Sequence, residues 1–141
     1  METSDDKLER RMYSHDLAPL PKEMDAIFKT MPDQVIRPGY TEEVSQMVKK
    51  AIATNKPIVP RGAGTWGLGG SVPVKGGYVL DMTAMNKIIS IDDRNMTVTV
   101  QPGITWKALA DALDAKGLFL PSHPSSAPSA TIGGWIGTGG T

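Results

Sequence analysis

The residues best placed for chemistry in this chain are glycines and small hydroxyl side chains, not acids or nucleophiles. Pro60-Arg61-Gly62-Ala63-Gly64-Thr65-Trp66-Gly67-Leu68-Gly69-Gly70-Ser71 holds five glycines in twelve residues, directly after the short apolar run Pro57-Ile58-Val59-Pro60. Glycine accepts positive φ and lets a ligand come close to the backbone. Successive N–H groups turned into one concavity form a nest for an anion, phosphate above all. A second stretch has the same character. Pro121-Ser122-His123-Pro124-Ser125-Ser126-Ala127-Pro128-Ser129-Ala130-Thr131-Ile132-Gly133-Gly134 runs into Trp135-Ile136-Gly137-Thr138-Gly139-Gly140. Hydroxyl groups beside glycines offer donors and close approach, which suits a diphosphate lying along backbone.

Two familiar phosphate motifs do not fit. Gly62-Ala63-Gly64-Thr65-Trp66-Gly67 satisfies GxGxxG by letter, and Asp81 lies near where the ribose-binding acid of a dinucleotide fingerprint belongs. That fingerprint needs its glycines to open a helix whose N-terminus faces the pyrophosphate. Residues 68–77 carry four further glycines and Pro73, which do not form such a helix. A P-loop needs Gly-Lys followed by Ser or Thr, and no such triplet occurs.

Composition narrows the field further. The 141 residues carry 15 basic and 15 acidic side chains, a formal net charge of zero, so no broad basic field marks a nucleic-acid or anionic-membrane surface. Phosphate binding then rests on local backbone N–H groups. The absence of cysteine excludes disulfides, thiolate catalysis and cysteine-ligated metal within the chain. His15 and His123 lie far apart without ligand spacing, so no metal site is expected. With 40% apolar and 21% charged residues the chain reads as one soluble globular domain. No apolar run approaches the roughly 18 residues of a membrane span, and residues 1–11 lack a signal-peptide core. A cytoplasmic location is expected, with membrane association only through partners.

The elements that must present these loops follow in order. Residues 5–12 read as a frayed helix and 17–21 as an extended linker. A helix is expected over 22–31 on the spacing of Met24, Ile27, Phe28 and Met31. Gln34–Arg37 reads as a strand closed by Pro38-Gly39. Thr41 suits the N-cap of a helix whose apolar stripe is Val44, Met47, Val48, Ala51 and Ile52. A strand starting near Lys56 completes a right-handed βαβ unit, with the glycine loop at its carboxyl end. Further strands are expected at 78–81, 88–91 and 96–101, and a helix at 106–116 capped by Thr105, facing inward through Leu109, Ala110 and Leu113 and stopped by Gly117. Residues 118–120 read as a brief strand.

At this point the sequence resembles a known family, the FAD-binding domains of the vanillyl-alcohol oxidase and p-cresol methylhydroxylase (PCMH) type, nearest to the glycolate oxidase and D-lactate dehydrogenase group. The matching residues are Tyr13-Ser14-His15-Asp16, Arg37-Pro38 and Thr41-Glu42-Glu43-Val44. The more specific ones are Pro60-Arg61-Gly62-Ala63-Gly64-Thr65, Gly69-Gly70-Ser71, Ala130-Thr131-Ile132-Gly133-Gly134 and Gly139-Gly140. The resemblance covers almost the whole chain. It implies an α/β (α+β) fold, a βαβ first subdomain plus the start of a second. Residues 1–32 are then a helical and extended leader, and 33–141 a PCMH-type domain truncated at its C-terminal side.

The resemblance also implies site roles. Arg61, Gly62, Ala63, Gly64 and Thr65 wrap the FAD pyrophosphate through backbone N–H groups, and Gly69, Gly70 and Ser71 continue that contact. Ser125, Ser126, Ala130, Thr131, Gly133 and Gly134, with Gly137 and Gly140, approach the pyrophosphate, ribityl chain and flavin edge. Covalent members often carry a histidine near the Thr65 position; none stands here, which implies noncovalent FAD. Plainer readings stand beside these roles. Arg61 could pair with a carboxylate at the sheet end, and Trp66 and Trp135 could be packing residues. Asp81 could cap a strand end, Ser122, Ser129 and Thr138 could hold turns, and Tyr13 and Asp16 could tie down the N-terminal segment.

No residue reads as a catalytic base, His123 included. In the resembled family a separate cap domain supplies the substrate residues, and the chain is expected to be an N-terminal fragment, inactive alone. The resemblance implies an FAD-dependent oxidoreductase acting on a D-2-hydroxy acid of the lactate or glycolate type, with an electron-acceptor subunit as a further partner. The alternative is a non-catalytic flavin- or nucleotide-binding module within a larger assembly.

Overall fold

The computed structural model describes residues 1–140, with the side chains of Lys22 and Asp25 left aside. Thr141, the last residue of the expected domain, lies outside the described residues. The fold is mixed α/β, in two layers of secondary structure that meet at the glycine-rich loops.

The first layer is a four-stranded sheet. β1 (Glu2–Ser4), β2 (Gln34–Arg37), β3 (Ile58–Arg61) and β4 (Tyr78–Asp81) stand in the order β1-β2-β4-β3. β4 lies between β2 and β3, parallel to both, and all four of its residues are buried. A parallel strand covered on both faces reads as a continuous apolar run, and Tyr78-Val79-Leu80 is one. β3 is an edge strand, which accommodates Pro60 without a lost ladder bond. The register sets Arg61 opposite Asp81, so the carboxyl ends of β3 and β4 lie side by side. The expected βαβ unit is therefore present with β4 inserted between its two strands.

α2 (Thr41–Ala53) packs on this sheet through Met47 and Ala51, against Ile36, Tyr78 and Leu80. Two expectations for this helix are corrected. Its N-cap is Tyr40, which makes no side-chain capping bond, and Thr41 is the first helical residue. The buried stripe is Glu43, Met47 and Ala51, with Val44 packed against the same core as expected, while Val48 and Ile52 face outward. Glu43 sets that rotation: its carboxylate accepts the Gly39 N–H at 2.8 Å and pairs with the Met1 ammonium.

The N-terminal segment joins the same sheet. β1 pairs antiparallel with β2, and α1 (Lys7–Met12) follows, capped by Asp6 accepting from Glu9 N–H at 2.9 Å. The helix expected over 22–31 is instead a short 3-10 turn, Lys22–Ala26. Ile27 is 71% exposed and Lys29 forms a parallel bridge with Lys75, which draws the chain into extended form.

The second layer starts with the hairpin of β5 (Ile88–Asp92) and β6 (Thr97–Val100). α3 (Trp106–Asp114) follows, with Thr105 accepting from Ala108 N–H at 3.1 Å as expected of its cap. Its inward face is Trp106, Leu109 and Leu113, with Ala110 exposed. Gly117 takes φ +71° as the stop, and residues 118–120 form no strand; Phe119 projects 81% exposed. The glycine-rich end folds into α4 (Ile132–Gly137), an element its composition conceals. Ile104, Trp106, Leu109, Leu113, Ala130 and Ile132 form this layer's core.

Candidate functional site

Strand ends and loops build one cleft of about 520 Å³ between the layers. One wall is Pro60, Arg61, Gly62, Ala63, Gly64, Thr65 and Trp66, with Gly70 and Ser71. The other is Pro124, Ser125 and Ser126, then Ala130, Thr131, Gly133, Gly134, Trp135, Gly137 and Thr138. Met82 and Pro102 close its floor. The size lies within the range of small-molecule sites, about 300–1,000 Å³.

The first wall is irregular because its sequence forbids anything else. Beyond Arg61 the chain leaves the sheet, and Gly64 and Gly69 take φ +67° and +79°. The backbone N–H groups of Gly62, Ala63, Gly64 and Thr65 donate to no protein acceptor among the described residues. Groups of this kind are obligatory donors, so they call for water or ligand oxygen. The cleft lining carries one charged side chain, Arg61, and no carboxylate, which suits an anionic guest.

The second wall is held firmly against the start of α3. Trp106 N–H donates to Ala130 O at 3.0 Å, Lys107 N–H to Ala127 O at 3.0 Å, and Ile132 N–H to Ile104 O at 2.9 Å. Gly133 N–H donates to Pro102 O at 2.8 Å, and a Cβ on Gly133 would meet the Pro102 ring at 2.5 Å. Thr131 caps α4 by accepting from Gly134 N–H at 3.3 Å. Trp106 and Trp135 meet edge to face with centroids 4.8 Å apart, which fixes the Trp135 indole at the cleft.

Among the described residues Arg61 pairs with no carboxylate. Its Nη1 donates to His15 O at 2.6 Å and its guanidinium stacks 5.1 Å from the Tyr13 ring centroid. Burial lowers its pKa, opposed by the nearby charges of Tyr13, Asp16 and Asp81. Asp81 closes the strand end beneath: it accepts from Tyr13 Oη at 2.5 Å, Arg37 Nε at 3.3 Å and Thr83 N–H at 2.9 Å. Asp81 is thus the strand-end cap, and no ribose-binding acid of a dinucleotide site.

Of the expected site residues, fourteen line this cleft and Gly69 and Gly140 do not. Gly140 packs on Trp135, where a Cβ would lie 2.3 Å from the indole. Sequence reasoning missed Met82 and Pro102. Both follow strand ends, and the carboxyl-end rule of parallel sheets would have pointed to Met82, directly after β4. Pro102 carried only a turn signal. Among the described residues no cluster of three or more potential ligands could hold a metal ion, and no helix is long and apolar enough to cross a membrane.

Fold and cleft together define a mixed α/β domain with a glycine-walled cleft at parallel strand ends. Residues 32–141 match the family model described as FAD binding domain, and the chain belongs to that family. FAD is accordingly its cofactor. The chain is 43% identical over 127 residues to glycolate oxidase subunit GlcD of Bacillus subtilis (strain 168), covering 90% of this chain and 26% of that protein. It is 39% identical over 108 residues to the mitochondrial D-lactate dehydrogenase [cytochrome] of Arabidopsis thaliana, covering 77% and 19% respectively. The fold matches a solved structure of alkyldihydroxyacetonephosphate synthase with a TM-score of 0.81 and 33% identity, over 95% of this chain and 28% of that one. The chain spans about a quarter of the length of these relatives.

The residues present fit the cofactor. Unsatisfied N–H groups at 62–65 offer donors for a diphosphate, and among the described residues no acid lines the cleft to repel it.

Proposed function

We propose that this chain forms the FAD-binding part of a flavin-dependent oxidoreductase that oxidises a D-2-hydroxy acid of the lactate or glycolate type. The observation that carries the reading is the pair of walls described above, four free backbone donors facing a glycine- and hydroxyl-lined wall across one cleft. Arg61 to Thr65, with Gly70 and Ser71, hold the pyrophosphate through backbone N–H groups. Ser125, Ser126, Ala130, Thr131, Gly133, Gly134 and Gly137 bound the ribityl chain and flavin edge, with Gly69 and Gly140 shaping the loops from outside the cleft. FAD, when bound, supplies the acceptor for a hydride. The chain's own part is to bind, orient and shield. With neither histidine nor carboxylate among the lining residues, the proton from the substrate hydroxyl goes to a base outside this region. The glycolate oxidase and D-lactate dehydrogenase relatives support this substrate class. A cytoplasmic location and an electron-acceptor partner belong to the same proposal.

A second reading is favoured by that lack of a base: a flavin-binding module that is inactive alone within a larger assembly. The test is the absorbance spectrum of purified protein with FAD added, followed by gel filtration. Flavin bands that shift and co-elute support FAD binding. Free FAD from a form that also carries the regions found in the relatives refutes it. Reduction of bound flavin by D-lactate or glycolate then separates the oxidoreductase from the passive module.

A further inference from the structure

We infer that residues 13–17 form a strap that sets the shape of the glycine loop, with Asp16 and Arg61 as positioning residues for the diphosphate. The inference rests on the FAD reading of the cleft. The loop between Arg61 and Ser71 has no regular structure, and its N–H groups from Gly62 to Gly70 donate to no protein acceptor among the described residues. Glycines lose more backbone freedom on ordering than any other residue, so this loop is poorly able to fix its own shape. Its order must come from outside.

The strap supplies it at both ends. At the entry, Arg61 folds back beneath Gly64, where a Cβ would lie 2.4 Å from Nη2, and its Nη1 donates to His15 O at 2.6 Å. The Tyr13 ring stacked on that guanidinium is itself tied to the end of β4, through its hydroxyl and Asp81 Oδ2 at 2.5 Å. At the exit, Asp16 takes over. Its Oδ1 accepts from Ala18 N–H at 2.7 Å, and its Oδ2 accepts long bonds from Ser71 N–H at 3.5 Å and Ser71 Oγ at 3.4 Å. Asp16 is only 6% exposed, so the carboxylate is committed to these donors and not to water. Between the two holds, Leu17 O lies 4.0 Å from where a Gly67 Cβ would stand.

The functional consequence is preorganisation. A loop ordered before the ligand arrives spares binding the cost of ordering it, and that saving appears in affinity. Asp16 and Tyr13 do not themselves line the cleft, and they act through Arg61 and Ser71, which do.

The test uses backbone ¹⁵N order parameters and FAD titration on the 141-residue chain. In Asp16→Ala, the amides of 62–70 are expected to fall from rigid values to below about 0.6, while those of 34–37 and 78–81 stay near 0.85. FAD affinity is expected to fall about tenfold or more. Should Asp16→Ala not fold, Asp16→Asn answers the question: its carbonyl oxygen still serves Ala18 N–H, while its amide cannot accept from Ser71. Unchanged order parameters at 62–70 overturn the strap. Loosened amides with unchanged FAD affinity overturn its positioning role. FAD left free by a form that also carries the regions found in the relatives counts against the reading of the cleft, and the order parameters, measured without FAD, still decide the strap.

Discussion

Gly62 and Thr131 hold the two walls of the cleft together: a Cβ on Gly62 would fall 2.0 Å from Thr131 Oγ1 and 3.3 Å from its Cβ. The same hydroxyl caps α4 through Gly134 N–H. Gly62→Ala therefore forces the loops apart, with an expected stability loss of about 1–3 kcal/mol, the usual range for overpacking. Thr131→Ala removes the cap and costs about 1 kcal/mol. The double variant should cost less than the sum, because the hydroxyl that clashes with the new methyl is gone. Urea midpoints of the four proteins measure this, and additive losses would show that the loops do not touch.

Gly64 and Gly69 separate two costs that usually come together. Both have positive φ, +67° and +79°. A Cβ on Gly69 meets nothing within 4 Å, whereas one on Gly64 meets the Arg61 guanidinium. Gly69→Ala should lose about 1–2 kcal/mol from backbone strain alone. Gly64→Ala should lose more, and should also weaken FAD binding, since Arg61 must leave its place under the loop. Equal losses at the two positions would mean that Arg61 yields freely.

Much of this architecture was legible because the residues that make it also show periodicity or caps. β2, β4 and α3 follow from apolar runs and from Thr105, and the cleft walls from glycine density. β1 was not legible: Glu2-Thr3-Ser4 has no apolar pattern, and only pairing with β2 makes it a strand. α4 was hidden because Ile132-Gly133-Gly134-Trp135-Ile136-Gly137 has poor helix propensity. It is held by the Thr131 cap, by Ile132 in the core and by Trp135 against Trp106, all tertiary contacts. The stripe of α2 was misplaced for the opposite reason. Glu43 carries no apolar signal, but Gly39 and the N-terminus draw it inward. Close approach of Gly62 to Thr131 and of Gly133 to Pro102 has no signature in sequence spacing at all.

Tyr13 makes stability depend on alkaline pH. Burial first, then its hydrogen bond to Asp81, raises its pKa above the ordinary value of about 10. The unfolded chain loses this proton at lower pH than the folded one. The stabilisation is therefore fully present below pH about 10 and is lost as pH rises through the raised folded value. Denaturation midpoints taken from pH 8 to 11 should fall for the wild type, and the fall should be shallower in Tyr13→Phe. At pH 8 the same variant should be less stable by about 1 kcal/mol, the worth of one hydrogen bond to Asp81. Parallel pH profiles for the two proteins would remove Tyr13 from the account.

The lining residues point to flavin held without a covalent bond, an expectation that denaturation tests. Covalent attachment needs a nucleophilic side chain at the flavin, and the cleft lining contains no histidine, tyrosine or cysteine. Neither His15 nor His123 is among the lining residues. FAD bound here should consequently come off intact when the protein is denatured. Acid precipitation followed by fluorescence of the supernatant is the measurement, with essentially all the flavin expected in solution. Flavin retained in the pellet, with a peptide carrying its mass, would contradict this and would direct attention to the regions that the longer relatives possess and this chain does not span.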